Sequence, residues 1–261
     1  MPILRPESHV DYYRLCAAHK DDIHELTGRG PDSKLTKFVV RRIAAALTLG
    51  SNDVVVDVGC GDGAFAAFAA PAVANTVGIA PNDEEIGRLR AAHAGVGKLQ
   101  FVRGRLERIP LPDGYADKVV CNSALKELPE PGLVPVAVNE LARVTKPGGL
   151  LWIGEVPMLD EHHGIDATAK GLRGLLNLLR GAFVSHTGFR PWPLACRAAQ
   201  MLYCRVSAKR FYIVMPKKTI AVTPDELVPM FGRAGVRLIR QERTLQPQVS
   251  RTRLDYLFCK D

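Results

Sequence analysis

Between Ala167 and Pro224 the 261-residue sequence holds no aspartate and no glutamate. The same stretch carries ten lysines and arginines, so it accounts for the whole net charge of +8 and leaves the rest slightly acidic. A basicity this local marks a partner-facing segment rather than a general solubility device. Other absences exclude function classes. The six cysteines, at 16, 60, 121, 196, 204 and 259, form no CxxC pair. They are expected as reduced, mostly buried thiols without a structural zinc site. No apolar run approaches the ~20 residues that span a bilayer. The residues Met1 to Glu7 lack an apolar core of signal-peptide length. A cytoplasmic location without a transmembrane segment is the expectation. Aromatic residues make up 7%, and the basic segment has little aromatic interleaving and no RNP-type signature, which argues against RNA as the favoured partner. What remains is ordinary: 47% hydrophobic and 24% charged residues suit a soluble α/β domain with an elaboration.

The organising stretch runs from Val54 to Gly63, Val-Val-Val-Asp-Val-Gly-Cys-Gly-Asp-Gly. Val54 to Val58 reads as a buried strand, because β-branched side chains suit a pleated surface packed on both faces. Gly59, Gly61 and Gly63 then allow a turn whose backbone approaches a ligand closely. Ala64 to Ala70 is helix-forming, and Pro71 stops it. Strand, glycine turn and helix is the layout of a nucleotide-type site in an open α/β sheet. Gly59-x-Gly61-x-x-Ala64 taken alone also fits the NAD fingerprint.

The chain continues in alternation. Helices are expected over 9–19 and 34–49, the second closed by Gly50, with a strand over Val73–Ala80 and a helix over Asp83–His93. A third strand starts at Leu99 and a fourth spans Ala116–Asn122. A helix covers Pro131–Thr145, and Lys146-Pro-Gly-Gly turns into a fifth strand ending near Glu155. Thr223 opens a capped helix, and Val236–Thr244 and Arg253–Cys259 read as the last strands.

These motifs resemble the class I S-adenosylmethionine-dependent methyltransferases. Val54–Gly63 is similar to that family's motif I, Ala116–Pro129 to its motif IV, and Leu141-Ala-Arg-Val-Thr-Lys-Pro-Gly-Gly149 to the signature before its fifth strand, which is not expected in NAD enzymes. The resemblance implies an α/β, Rossmann-like seven-stranded sheet with helices on both faces. It also implies S-adenosylmethionine as cofactor and S-adenosylhomocysteine as product. By the same resemblance Asp57 holds the amino group of the methionine part, and Gly59, Cys60 and Gly61 curl around the cofactor. Ala80, Pro81 and Asn82 border the ribose, Arg105 and Leu106 the adenine, and Asn122 and Ser123 face the site.

Two positions depart from the family pattern. Ala80 stands where an acid usually grips the ribose hydroxyls; Asn82 or Asp83 would have to substitute. Arg105 stands where an acid usually receives the adenine amino group. A guanidinium cannot accept that bond, but it can stack on the ring.

Residues 1–50 are then an N-terminal helical cap, with Tyr12 or Tyr13 able to close over the cofactor. Residues 51–156 are the cofactor-binding core, 157–222 a basic lid insertion between the fifth and sixth strands of the sheet, and 223–261 a C-terminal helix with edge strands, all in one methyltransferase domain. Within the insertion, Leu172, Leu175, Leu176, Leu179 and Phe183 line one face of an expected basic amphipathic helix. His162 and His163 are the candidate catalytic bases, with Glu155 and Asp160 near them. The Asp160–Asp166 cluster lacks the spacing of a metal site, and no metal is expected. The expected activity is O- or N-methylation of a small or medium acceptor, a metabolite or a glycan- or lipid-type molecule, anionic if the basic face selects it. Peripheral membrane contact is compatible with the amphipathic helix. Two alternatives stand beside it: a methyltransferase-like binding or scaffold protein without catalysis, and an RNA methyltransferase.

Overall fold

Val55 and Val56 are adjacent in sequence and enter opposite hydrophobic layers, as alternate residues of a strand buried on both faces must. That strand lies in the interior of the sheet. In the computed structural model the described residues are 3–4, 6–19, 23, 34–158, 212–213, 219–244 and 252–261. In chain order they form β1 (Ile3–Leu4), α1 (His9–His19), α2 (Lys34–Leu47), β2 (Val54–Val58), α3 (Ala64–Ala69), β3 (Asn75–Ala80), α4 (Asp83–Ala92) and β4 (Leu99–Arg103). There follow β5 (Ala116–Asn122), α5 (Val134–Val144), β6 (Thr145–Pro157), β7 (Tyr212–Ile213), α6 (Pro224–Arg233), β8 (Val236–Arg243) and β9 (Arg253–Lys260).

The main sheet has the seven-strand order β4-β3-β2-β5-β6-β9-β8. Neighbours are parallel from β4 to β6, whereas β9 runs antiparallel to both β6 and β8. A second ladder, two residues long, pairs β1 with β7 in parallel. The seven-stranded Rossmann-like sheet expected from the sequence is therefore present.

One layer packs Val56, Val119, Leu141 and Phe231 beneath α5 and α6, where Phe231 and Phe258 bring their rings to 4.3 Å. The other packs Val40, Ile43 and Leu47 of α2 onto Val55, Val120, Trp152 and Leu257. Each of those three α2 side chains contributes roughly 1.5–3 kcal/mol by leaving water. Arg42, on the same helix, donates to Asp255 at 2.7 Å and lies 5.4 Å over the Trp152 ring, so one cation anchors α2 to the sheet.

Several boundaries differ from the sequence expectation; the strand expected from Val73, for example, starts at Asn75. The second helix ends at Leu47, and Thr48 (φ 47) takes the left-handed position instead of Gly50. The amide of Gly50 is committed to Asp53 Oδ2 at 2.8 Å. The helix expected from Pro131 begins as a single 3-10 turn over Pro131–Leu133, and α5 proper starts at Val134. The Lys146-Pro-Gly-Gly segment lies inside β6 as an interruption of its ladder, which steps from Ala116–Thr145 to Lys118–Leu150 around Gly148 (φ 74). Lys260 Nζ closes that interruption by donating to the carbonyls of Ala142 and Thr145, each at 2.8 Å. At the start of α6 the expected cap is complete: the amide and hydroxyl of Thr223 both donate to Glu226 Oε2 at 2.9 Å.

Candidate functional site

Strand order reverses at β2, with β3 and β4 on one side and β5 and β6 on the other. All five are parallel, so the loops that leave their C-terminal ends share one edge of the sheet. At such a switch point the loops diverge and leave a crevice for a ligand. The sequence-expected cofactor residues all fall here: Gly59, Cys60 and Gly61 after β2, Ala80, Pro81 and Asn82 at and beyond the end of β3, Arg105 and Leu106 after β4, and Asn122 and Ser123 at the end of β5.

Asp57 is buried within β2. The turn after it has φ values of 74 at Gly59, 58 at Gly61 and 74 at Gly63. Gly59 needs glycine twice over: its φ is left-handed, and a Cβ there would lie 2.5 Å from the Cβ of Ala124. The amides of Gly59 and Cys60 both donate to the Ile79 carbonyl, at 3.0 and 3.1 Å, which fixes the turn against β3. Burial pushes the Cys60 thiol well above its ordinary pKa, as it pushes Cys121 up to about 12. Neither thiol is an available nucleophile at neutral pH.

Beyond β3, Ala80 is buried in an apolar patch with Cys60, Ile86, Leu89 and Phe101, and Ile23 packs against it. Asn82 caps α4: its Oδ1 accepts from the Glu85 amide at 3.0 Å and its Nδ2 donates to Glu85 Oε1 at 2.6 Å. Both polar ends of Asn82 are thus spent on Glu85. Asp83 is exposed and pairs with Arg103 at 2.9 Å. After β4, Arg105 is exposed, with its guanidinium 3.6 Å from Glu107, whereas Leu106 is buried. The loop that follows is pinned by Arg143, which donates to the carbonyls of Ile109 and Leu111 and to Glu140.

At the end of β5, Asn122 Nδ2 donates to Glu155 Oε1 and its Oδ1 accepts from Trp152 Nε1, both at 3.2 Å. Glu155 is 4% exposed, pairs with Arg253 at 3.2 Å, and gives its amide to Asp255 at 2.7 Å. Glu155 (φ 56) and Ser123 (φ 66) both hold left-handed backbone without being glycine. Such a conformation costs of order 1 kcal/mol or more and persists only where neighbours enforce it. Glu155 sits at a bulge in the β6–β9 ladder, between Ile153 and Val156.

Helix α1 crosses above this edge. On one side Arg88 of α4 donates to the Ala17 carbonyl at 2.9 Å; on the other Tyr13 donates to Glu127 Oε1 at 2.8 Å. Glu127 closes the 3-10 turn Leu125–Glu127 that follows β5. Burial raises its carboxyl above the ordinary range, and burial with the adjacent Glu127 charge raises the Tyr13 phenol. Of the two tyrosines expected as cap candidates, Tyr12 is buried edge-on to Tyr13 at 5.3 Å. Glu127 reaches the crevice in the turn after β5, and Glu85, which is not among the sequence-expected site residues, is buried on the first turn of α4. The candidate bases His162 and His163, the Asp160–Asp166 cluster and nearly all of the basic insertion lie outside the described residues.

The profile of the family described as "Methyltransferase domain" matches residues 56–153. That match to a methyltransferase domain runs from β2 into β6. An uncharacterized methyltransferase of Mycobacterium sp. (strain JLS) is 34% identical over 117 residues, covering 42% of this chain and 44% of that protein. The 27-O-demethylrifamycin SV methyltransferase of Amycolatopsis mediterranei is 31% identical over 144 residues, covering 53% of this chain and 51% of that one. The chain thus spans about half or less of the curated relatives it matches. In fold, it is similar to the N-methyltransferase NodS of Bradyrhizobium japonicum WM9, solved with S-adenosylhomocysteine, at a TM-score of 0.61 and 13% identity, covering 97% of this chain and 99% of that one. The methyltransferase core matched by sequence is thus the part of the sheet that carries the glycine turn and the ends of β2 to β5.

Proposed function

We propose that this protein is a class I methyltransferase that moves a methyl group from S-adenosylmethionine to a small or medium acceptor, at oxygen or nitrogen. The observation that carries the reading is the buried Asp57 beneath a three-glycine turn at the switch point of the sheet. That cradle suits the cofactor because Gly59 keeps the backbone free of a Cβ where the turn meets Ala124. Asp57, Gly59, Cys60 and Gly61 would hold the methionine part, and Leu106 and Arg105 would border the adenine. The bound sulfonium supplies an activated methyl group. The protein's own work is to align an acceptor in the crevice and to exclude water from it. Helix α1 is placed for the second task, since it bridges α4 and the turn after β5.

For a hydroxyl acceptor a base must take a proton. Glu127 fits that role in the described structure: a half-buried carboxyl in the turn after β5, raised in pKa by burial and steadied by Tyr13. His162 and His163 stay as candidates from the insertion. The basic segment supports an anionic acceptor, metabolite or glycan- or lipid-type, over RNA. Isothermal calorimetry with S-adenosylhomocysteine tests the core of this reading; no binding at millimolar ligand would end it.

A second reading, a binding or scaffold domain without turnover, is favoured by one observation: Ala80 offers no carboxyl, and Ile23 packs against that apolar patch. Cofactor binding without methyl transfer to any of a panel of hydroxyl, amine and thiol acceptors would select it.

A further inference from the structure

Glu85 is 3% exposed, on the first turn of a helix whose neighbouring acids, Asp83 and Glu84, both face solvent. An acid in a helical first turn is served well by the dipole while exposed, so burial adds a desolvation cost that the helix does not require. The side chain is turned inward, toward the crevice. Its charge is felt by Cys60, in the glycine turn, and by Tyr13, on the cap helix. Oε1 is held by Asn82 Nδ2 at 2.6 Å; among the described residues no hydrogen bond is made by Oε2. Burial raises the carboxyl to about 8. The single bond from Asn82 does not offset that burial, and a ligand with hydroxyl donors would add to that bond.

A nucleoside lying along the ends of β2 and β3 brings two such hydroxyls, those of its ribose. In nucleotide-binding α/β sheets an acid at the tip of the second strand takes them. Here that tip is Ala80, and Asn82 has spent both polar ends on Glu85.

We propose that Glu85, oriented by Asn82, receives the ribose hydroxyls of the adenosyl cofactor in place of a strand-tip acid. The assignment rests on the reading given under Proposed function. Asn82 is then a positioning residue, which presents the free oxygen of Glu85 to the crevice.

The test is calorimetric titration of the full chain with S-adenosylhomocysteine and with its 2′-deoxyribose analogue. Wild type should bind the parent about tenfold or more tightly than the analogue, and Glu85→Gln should lose about tenfold for the parent and no longer separate the two. Unchanged parent affinity in Glu85→Gln, or a variant that still separates the ligands as wild type does, overturns the assignment while leaving the cofactor reading intact. No binding of the parent by wild type overturns both. A crystal structure of wild type with S-adenosylhomocysteine decides independently of any variant's folding. A Glu85 oxygen within hydrogen-bonding distance of a ribose hydroxyl supports the assignment, and a ribose bonded elsewhere refutes it.

Discussion

Tyr13 and Glu127 lie 114 residues apart in sequence and share a 2.8 Å hydrogen bond across the mouth of the crevice. The bond ties the cap helix to the turn after β5. Removing the hydroxyl with Tyr13→Phe leaves a half-buried carboxyl short of its donor. The expected loss is ~1–3 kcal/mol in urea unfolding. S-adenosylhomocysteine should also dissociate faster, because the cap is less firmly held. A variant as stable as wild type and equally slow to release ligand would mean that the bond does not secure the cap.

Stability should depend on pH through Glu85. Its carboxyl is raised from 4.5 to about 8 in the folded protein, chiefly by burial. The folded state therefore keeps a proton that the unfolded state has given up. The contribution is fully present below about pH 4.5 and is lost as pH rises through about 8. Between those values the group lowers stability by at most ~1.4 kcal/mol for each pH unit. Glu85→Gln should gain on wild type as pH rises from 5 to about 8 and level off above it, read as the difference in melting temperature. A difference that stays flat over that range would show that Glu85 titrates normally.

Gly59 and Gly95 make a matched pair. A Cβ at Gly59 meets Ala124 and faces a left-handed φ, whereas a Cβ at Gly95 meets nothing within 4 Å. Gly59→Ala should cost ~1–3 kcal/mol and abolish S-adenosylhomocysteine binding, while Gly95→Ala should be nearly neutral in both. Equal effects of the two would remove the glycine turn from the binding site.

Arg253 and Glu155 form a buried ion pair, 6% and 4% exposed. Arg253→Leu leaves the carboxylate without its cation and should cost ~3–5 kcal/mol by chemical denaturation. Adding Glu155→Gln removes the stranded charge, so the double variant should recover a good part of that loss. Additive losses in a double-mutant cycle would argue that the two side chains act independently.

The sequence alone determined the frame of this protein. The Val54–Val58 run, the glycines at 59, 61 and 63 and the Thr223–Glu226 cap each express a local preference of strand, turn or helix, and each stands where the sequence puts it. The candidate cofactor residues could be named early for the same reason: they lie at or just after the ends of strands that read clearly. Tertiary packing alone decided what crosses between them. That α1 lies over the crevice, that Glu85 turns inward while Asp83 stays out, and that Arg42 reaches Asp255 depend on contacts between segments remote in sequence. No periodicity encodes such contacts. They follow from desolvation and shape once the sheet has brought its C-terminal ends together.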